Sequence, residues 1–166
     1  MSDSKVIDIL KKAILLEQQG QSFYRNVAAQ TESEAVKNIF SIMADEELKH
    51  EQMLTEQASS YQRGEGFSSG SDMGRPEEFS VHVLSEKIKE QISASSYEAA
   101  SIAASVAFEK RAVDLYSSRA ETASDEAEKS MYAELAIWER THLTFISGIY
   151  DDLLESTYYD SSYWPF

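Results

Sequence analysis

Ala44-Asp45-Glu46-Glu47-Leu48-Lys49-His50 returns 92 residues later as Ala136-Ile137-Trp138-Glu139-Arg140-Thr141-His142, with Ala, Glu and His in the same three places. In both copies a glutamate precedes a histidine by three residues, so on a helix the two side chains share one face. Either pair alone is a weak sign, because acidic side chains crowd many solvated helix faces. The agreement extends outward. The same shift puts Glu17 on Glu109, Tyr24 on Tyr116, Ala28 on Ala120, Glu34 on Glu126 and Lys37 on Lys129. Apolar positions follow, with Ile14 on Val106, Phe23 on Leu115, Phe40 on Tyr132, Met43 on Leu135 and Leu54 on Ile146. The chain reads as two copies of one unit.

Each copy has the period of a helical hairpin. Residues 4–30 carry Ile7, Leu10, Ile14 and Phe23 at helical spacing, and Thr31-Glu-Ser-Glu34 reads as a capping box that opens a second helix ending near Tyr61. Ser95-Ser-Tyr-Glu98 is a second capping box, opening a helix to about Glu121; the last helix starts near Ser124–Asp125 and ends about Leu154. Residues 62–79 hold four of the six glycines and one proline, and a short amphipathic helix with Val81, Leu84, Ile88 and Ile92 follows. The expected fold is all-α: a ferritin-like four-helix bundle over 1–155, made of hairpins 4–61 and 95–154 joined by a long crossover, 62–94. Residues 156–166 form an aromatic C-terminal tail, read as a cover for apolar bundle surface.

Spacing then fixes heights. Residues 17 and 47 are centred on 32, and 109 and 139 on 124, which are the two turns already placed by capping signals. Each glutamate therefore stands ~15 residues, or ~22 Å, from its turn. Glu17, Glu47, Glu109 and Glu139 come to one level of the bundle with His50 and His142. One Glu from each of two helices, with Glu-x-x-His from the other two, is the donor set of ferritin-like di-iron and di-manganese proteins. Four carboxylates balance two divalent cations, whereas four carboxylates alone would be costly to bury.

Composition removes several alternatives. The net charge is −14, which repels nucleic-acid backbones and anionic lipid surfaces, so neither is an expected partner. The absence of cysteine excludes disulfides, thiol catalysis and a rubredoxin-type iron centre within these 166 residues. No apolar run approaches a membrane span and no signal peptide is legible, so the expected location is the cytoplasm. His82 lacks a repeat partner and reads as a surface or interface residue. Asp45, Glu46 and Glu51 read as solvated face, with Glu46 able to support the site from outside.

Leu-Leu-Glu17-x6-Tyr24, Ala-Asp-Glu-Glu47-Leu-Lys-His50, Phe-Glu109-x6-Tyr116 and Ile-Trp-Glu139-Arg-Thr-His142 together resemble the rubrerythrins, over about residues 4–154. The resemblance implies that Glu47 and Glu139 bridge two iron ions, with Glu17 and His50 completing one and Glu109 and His142 the other. It also implies that Tyr24 and Tyr116 donate hydrogen bonds to ligand carboxylates. Rubrerythrins typically carry a further carboxylate three residues after the third-helix ligand; here that position is Ala112, and its repeat partner is Gly20. Those two small residues either pack helices or leave room beside the metals for O2, peroxide or water. The implied activity is that of a non-haem di-iron peroxidase, reducing hydrogen peroxide or O2 with electrons from an external donor such as a rubredoxin, in a homodimer. Two other readings stay open: a ferroxidase that handles iron, and a non-catalytic bundle holding Zn or Mn.

Overall fold

The computed structural model describes residues 3–68, 86–88, 90–92 and 96–159. Four long helices make up nearly all of it: α1 Asp3–Gln30, α2 Glu34–Gln62, α3 Tyr97–Thr122 and α4 Glu126–Tyr159. Among the described residues there is no strand. α1 packs along α2, and α3 along α4. The turn between α1 and α2 touches the start of α3, where Thr31 donates to Glu98 at 2.9 Å. Ser33 likewise donates to Gln91 at 2.7 Å, just before α3. α3 therefore starts at the end of the bundle where α1 stops, so it runs antiparallel to α1 while α4 runs parallel to it. That is the ferritin-like arrangement of two hairpins with a crossover between their far ends.

Local chemistry sets the helix starts one or two residues from where the capping boxes place them. Ser33, not Thr31, caps α2: its hydroxyl accepts from the Val36 N–H at 3.2 Å. Thr31 instead accepts from the Ser33 N–H and spends its own proton on Glu98, a tertiary contact that no local pattern displays. Ser96 caps α3 by accepting from Ala99, and Asp125 accepts from the Glu128 N–H at the start of α4. α4 also runs past Leu154 to Tyr159, so the first four residues assigned to the tail are helical. No Gly or Pro interrupts 154–159, which leaves nothing to stop the helix there. The remainder of the tail, most of the crossover and His82 lie outside the described residues. Within the expected short helix, 86–88 and 90–91 are helical and Ile88 is fully buried.

The interior is in two apolar parts. One, toward the first turn, joins Tyr24, Ile39, Phe40, Met43, Ile102, Phe108 and Ile146. The other, toward the second turn, joins Leu10, Met53, Leu54, Tyr116, Tyr132 and Leu135. Each part draws on all four helices. Leu10, Met43, Leu54 and Leu135 are completely buried, each contributing about 1.5–3 kcal/mol by leaving water. Between the two parts lies a layer of charged side chains.

Candidate metal centre

That layer is the conjunction the spacing calls for. Glu17 comes from α1, Glu47 and His50 from α2, Glu109 from α3, Glu139 and His142 from α4, and none is more than 1% exposed. One ligand-type atom from each of Glu17, Glu47, His50 and Glu139 lies within 4.8 Å of the others. Glu47, Glu109, Glu139 and His142 form a second such group, so Glu47 and Glu139 belong to both. The imidazole rings of His50 and His142 are nearly parallel, 5.9 Å apart at 28°.

Both histidines turn Nδ1 toward the carboxylates. His50 Nδ1 is 3.3 Å from Glu17, 3.5 Å from Glu47 and 2.9 Å from Glu139. His142 Nδ1 is 3.6 Å from Glu47, 3.7 Å from Glu109 and 3.6 Å from Glu139. The two tyrosines act across the hairpins: Tyr24 of α1 donates to Glu109 of α3, and Tyr116 of α3 donates to Glu17 of α1. Each glutamate held this way belongs to one group only. The shared pair, Glu47 and Glu139, receives no tyrosine.

Electrostatics sort the four carboxyls along the same line. Burial, reinforced by the Glu47 and Glu139 charges, pushes Glu17 well above the usual carboxylate range. Burial does the same to Glu109, against the pull of His142. Burial also opposes ionisation of Glu47, but its neighbours Glu17, His142 and His50 outweigh it and hold Glu47 low. Glu139 is driven up by burial and by Glu47, yet it ends below its ordinary value because both imidazoles face it. Burial disfavours the imidazolium forms, but Glu139 for His50 and Glu109 for His142, with the other carboxylates, raise both well above the ordinary value. Burial and then the neighbouring carboxylate raise Tyr24 and Tyr116, so both hydroxyls stay protonated donors.

The donor set fits a pair of metal ions. Glu47 Oε1, Glu109 Oε2, both Glu139 oxygens and His142 Nδ1 are buried and make no aligned hydrogen bond, although the separations above allow charge attraction. Such orphaned polar atoms are expensive in a protein interior, and here they converge on one place. Four carboxylates and two imidazoles suit a pair of divalent first-row cations.

Glu46 departs from its reading as solvated face. It is 3% exposed, and its Oε2 lies 2.5 Å from His142 Nε2. The signal was in the repeat: the residue at its place in the second copy is Trp138, and a position that accepts Trp is an interior one. Asp45 and Glu51 do lie on exposed faces, bonded to Arg25 and Gln18. Gly20 is a packing residue. A Cβ there would come within 2.8 Å of the Phe108 ring and 3.4 Å of Glu47 Cδ, so the phenyl ring already fills the room beside the carboxylate. Ala112 is buried in the apolar part toward the second turn.

The sequence matches the rubrerythrin family over residues 8–150. The chain belongs to the rubrerythrin family. A solved structure of a hypothetical protein from Pyrococcus furiosus shares the fold, with 23% identity, 94% of each chain covered and a TM-score of 0.62. No curated protein matches the sequence. As expected of a rubrerythrin-family bundle, no helix among the described residues is long and apolar enough to cross a membrane.

Proposed function

We propose that this rubrerythrin-family chain is a dinuclear iron oxidoreductase that reduces hydrogen peroxide or O2 with electrons from a separate donor protein. The observation that carries this reading is the pair of four-residue groups sharing Glu47 and Glu139, buried between two apolar layers. Glu47 and Glu139 would be shared between the two ions; Glu17 with His50 would help hold one, and Glu109 with His142 the other. Two ferrous ions held there would supply two electrons, enough to cleave the O–O bond of hydrogen peroxide to water or to reduce O2 to peroxide. The side chains do the rest. Tyr24 and Tyr116 fix the carboxylates of Glu109 and Glu17 and keep a proton beside each. The apolar layers exclude bulk water, which preserves charge attraction within the site. Electrons enter from outside these 166 residues, which contain no cysteine to hold a rubredoxin-type iron.

Metal analysis of anaerobically purified protein, followed by mixing the ferrous form with peroxide and with O2, tests the reading. Two irons per chain, oxidised by either reagent and re-reduced by rubredoxin, are expected. Replacing both Glu47 and Glu139 with Ala should abolish paired binding while circular dichroism stays helical. Two ions per chain in that variant would overturn the ligand assignment. Bound iron inert to both oxidants would overturn the oxidoreductase reading and leave a binding bundle.

A further inference from the structure

The geometry points to two unequal metal positions: the one at Glu109 and His142 fills first and holds its ion more tightly, with Glu46 as the positioning residue responsible. This rests on the two-ion assignment above. A histidine that ligates through Nδ1 must carry its proton on Nε2, and what Nε2 meets then decides how ready the ring is. His142 Nε2 meets the buried carboxylate of Glu46 at 2.5 Å, which fixes the proton on Nε2 and leaves the Nδ1 lone pair facing the cluster. A carboxyl oxygen in that place also orients the ring; outer hydrogen-bond partners of this kind are typically worth about 10–100-fold in metal affinity.

His50 has no such partner. Its Nε2 is buried without a hydrogen bond, while its Nδ1 is hydrogen-bonded to Glu17 at 3.3 Å. Trp138 stands where the repeat would put a second Glu46, its ring edge-to-face with His50 at 5.5 Å and 78°. An indole offers an N–H donor and no acceptor oxygen. With Nδ1 given to a metal, the His50 Nε2–H faces no acceptor in the interior, a cost His142 does not meet. The carboxylates around the two rings are otherwise matched by the repeat, so Glu46 against Trp138 is the difference that sets the order.

Redox-inert zinc separates this inference from the oxidoreductase reading. Apo-protein receives one equivalent of Zn2+ per chain and is crystallised, and anomalous scattering at the zinc edge gives the occupancy of each position. The expected ratio favours Glu109–His142 by about tenfold or more. Glu46→Leu should bring the two occupancies together, and Glu46→Gln, which keeps a neutral acceptor for the Nε2–H, should restore part of the preference. The His142 Nε2–H proton resonance should lie far downfield in zinc-loaded wild type and move upfield in Glu46→Gln, a readout that loss of packing alone would not give. Equal occupancies in wild type, or a preference unchanged in the Glu46 variants, overturn the inference and leave the two-ion assignment standing. Zinc at neither position overturns the assignment and the inference together.

Discussion

Near its turn the first hairpin buries Val27 and Val36 completely, where the second hairpin places Arg119 and Glu128. Arg119 donates to one Glu128 oxygen from Nε at 3.0 Å and from Nη2 at 2.5 Å, with both side chains under 10% exposed. Phe40 of the first hairpin corresponds to Tyr132 of the second, whose hydroxyl burial and Glu128 raise, with Arg119 pulling the other way. One hairpin thus closes its turn end on apolar contact, and its copy does so on an ion pair. At the level of the six clustered residues the copies are identical. The lesson is one of tolerance: a buried site can be filled by valines or by a matched charge pair, because the paired charges compensate one another. A glutamate proposed to hold metal has no such substitute.

The largest expected effect concerns what the hairpins share. His50, His142, Glu17 and Glu109 all hold protons more tightly in the fold than in the unfolded chain. Their contribution to apo-protein stability is full below their unfolded values and is lost as pH rises through the folded ones. Glu47 and Glu139, held low, contribute above the ordinary carboxylate range and fade only in acid. The melting temperature of apo-protein should therefore fall as pH rises above about 6.5, the ordinary histidine value. Metal requires deprotonated ligands, so excess Zn2+ should stabilise more as pH rises, by roughly 2.7 kcal/mol per site at a hundredfold excess over Kd. Calorimetric scans with and without zinc from pH 6 to 9 check both slopes. Parallel curves would mean the layer is not a shared metal centre.

Next in size is the contrast between valines and the ion pair. Glu128→Val removes the buried carboxylate that Arg119 donates to and should cost about 3–5 kcal/mol. Arg119→Val with Glu128→Val copies the first hairpin and should return to within about 1 kcal/mol of wild type, or exceed it. Urea denaturation of the three proteins measures this. A double variant as unstable as the single one would show that the second hairpin cannot take the first hairpin's solution.

The smallest effect sits at Gly20 and its repeat partner Ala112. On helix propensity alone, alanine is better than glycine by about 1 kcal/mol. A methyl at Gly20 meets the buried Phe108 ring, whose own repeat partner is the smaller Leu16. Gly20→Ala should therefore show no gain and a net loss of about 1 kcal/mol, as overpacked cores do. Ala112→Gly should lose a similar amount for the opposite reason. Stabilisation by Gly20→Ala would mean that Phe108 can withdraw.

Residues that recur at a fixed shift were legible without coordinates. Glu17, Glu47, His50, Glu109, Glu139 and His142 meet because two distances along helices of known rise are equal. Residues that break the repeat were harder to place. Glu46, Arg119 and Glu128 each look solvated by type, yet each is buried, as are their counterparts Trp138, Val27 and Val36. At these three positions the counterpart's character shows the burial that the residue's own character hides, whereas Asp45 and its counterpart Ile137 are both exposed. That Tyr24 and Tyr116 donate to clustered carboxylates was legible through the family resemblance; which carboxylate each reaches was not, since that depends on how one hairpin is set against the other. The same holds for Thr31, drawn from a cap to a tertiary bond with Glu98.

Joining the two hairpins in one chain has a further consequence. Each of the clustered Glu and His residues in one half has its counterpart in the other, so two separate copies of one hairpin, paired about a twofold axis, would bring the same side chains together. Such a site would form only at concentrations where the copies associate, whereas a tethered pair assembles at any dilution. An isologous dimer must also place the same residue at both equivalent positions. It could give a carboxylate to both histidines, or an indole to both, and never Glu46 to one and Trp138 to the other. Covalent linkage is what permits the centre to be lopsided.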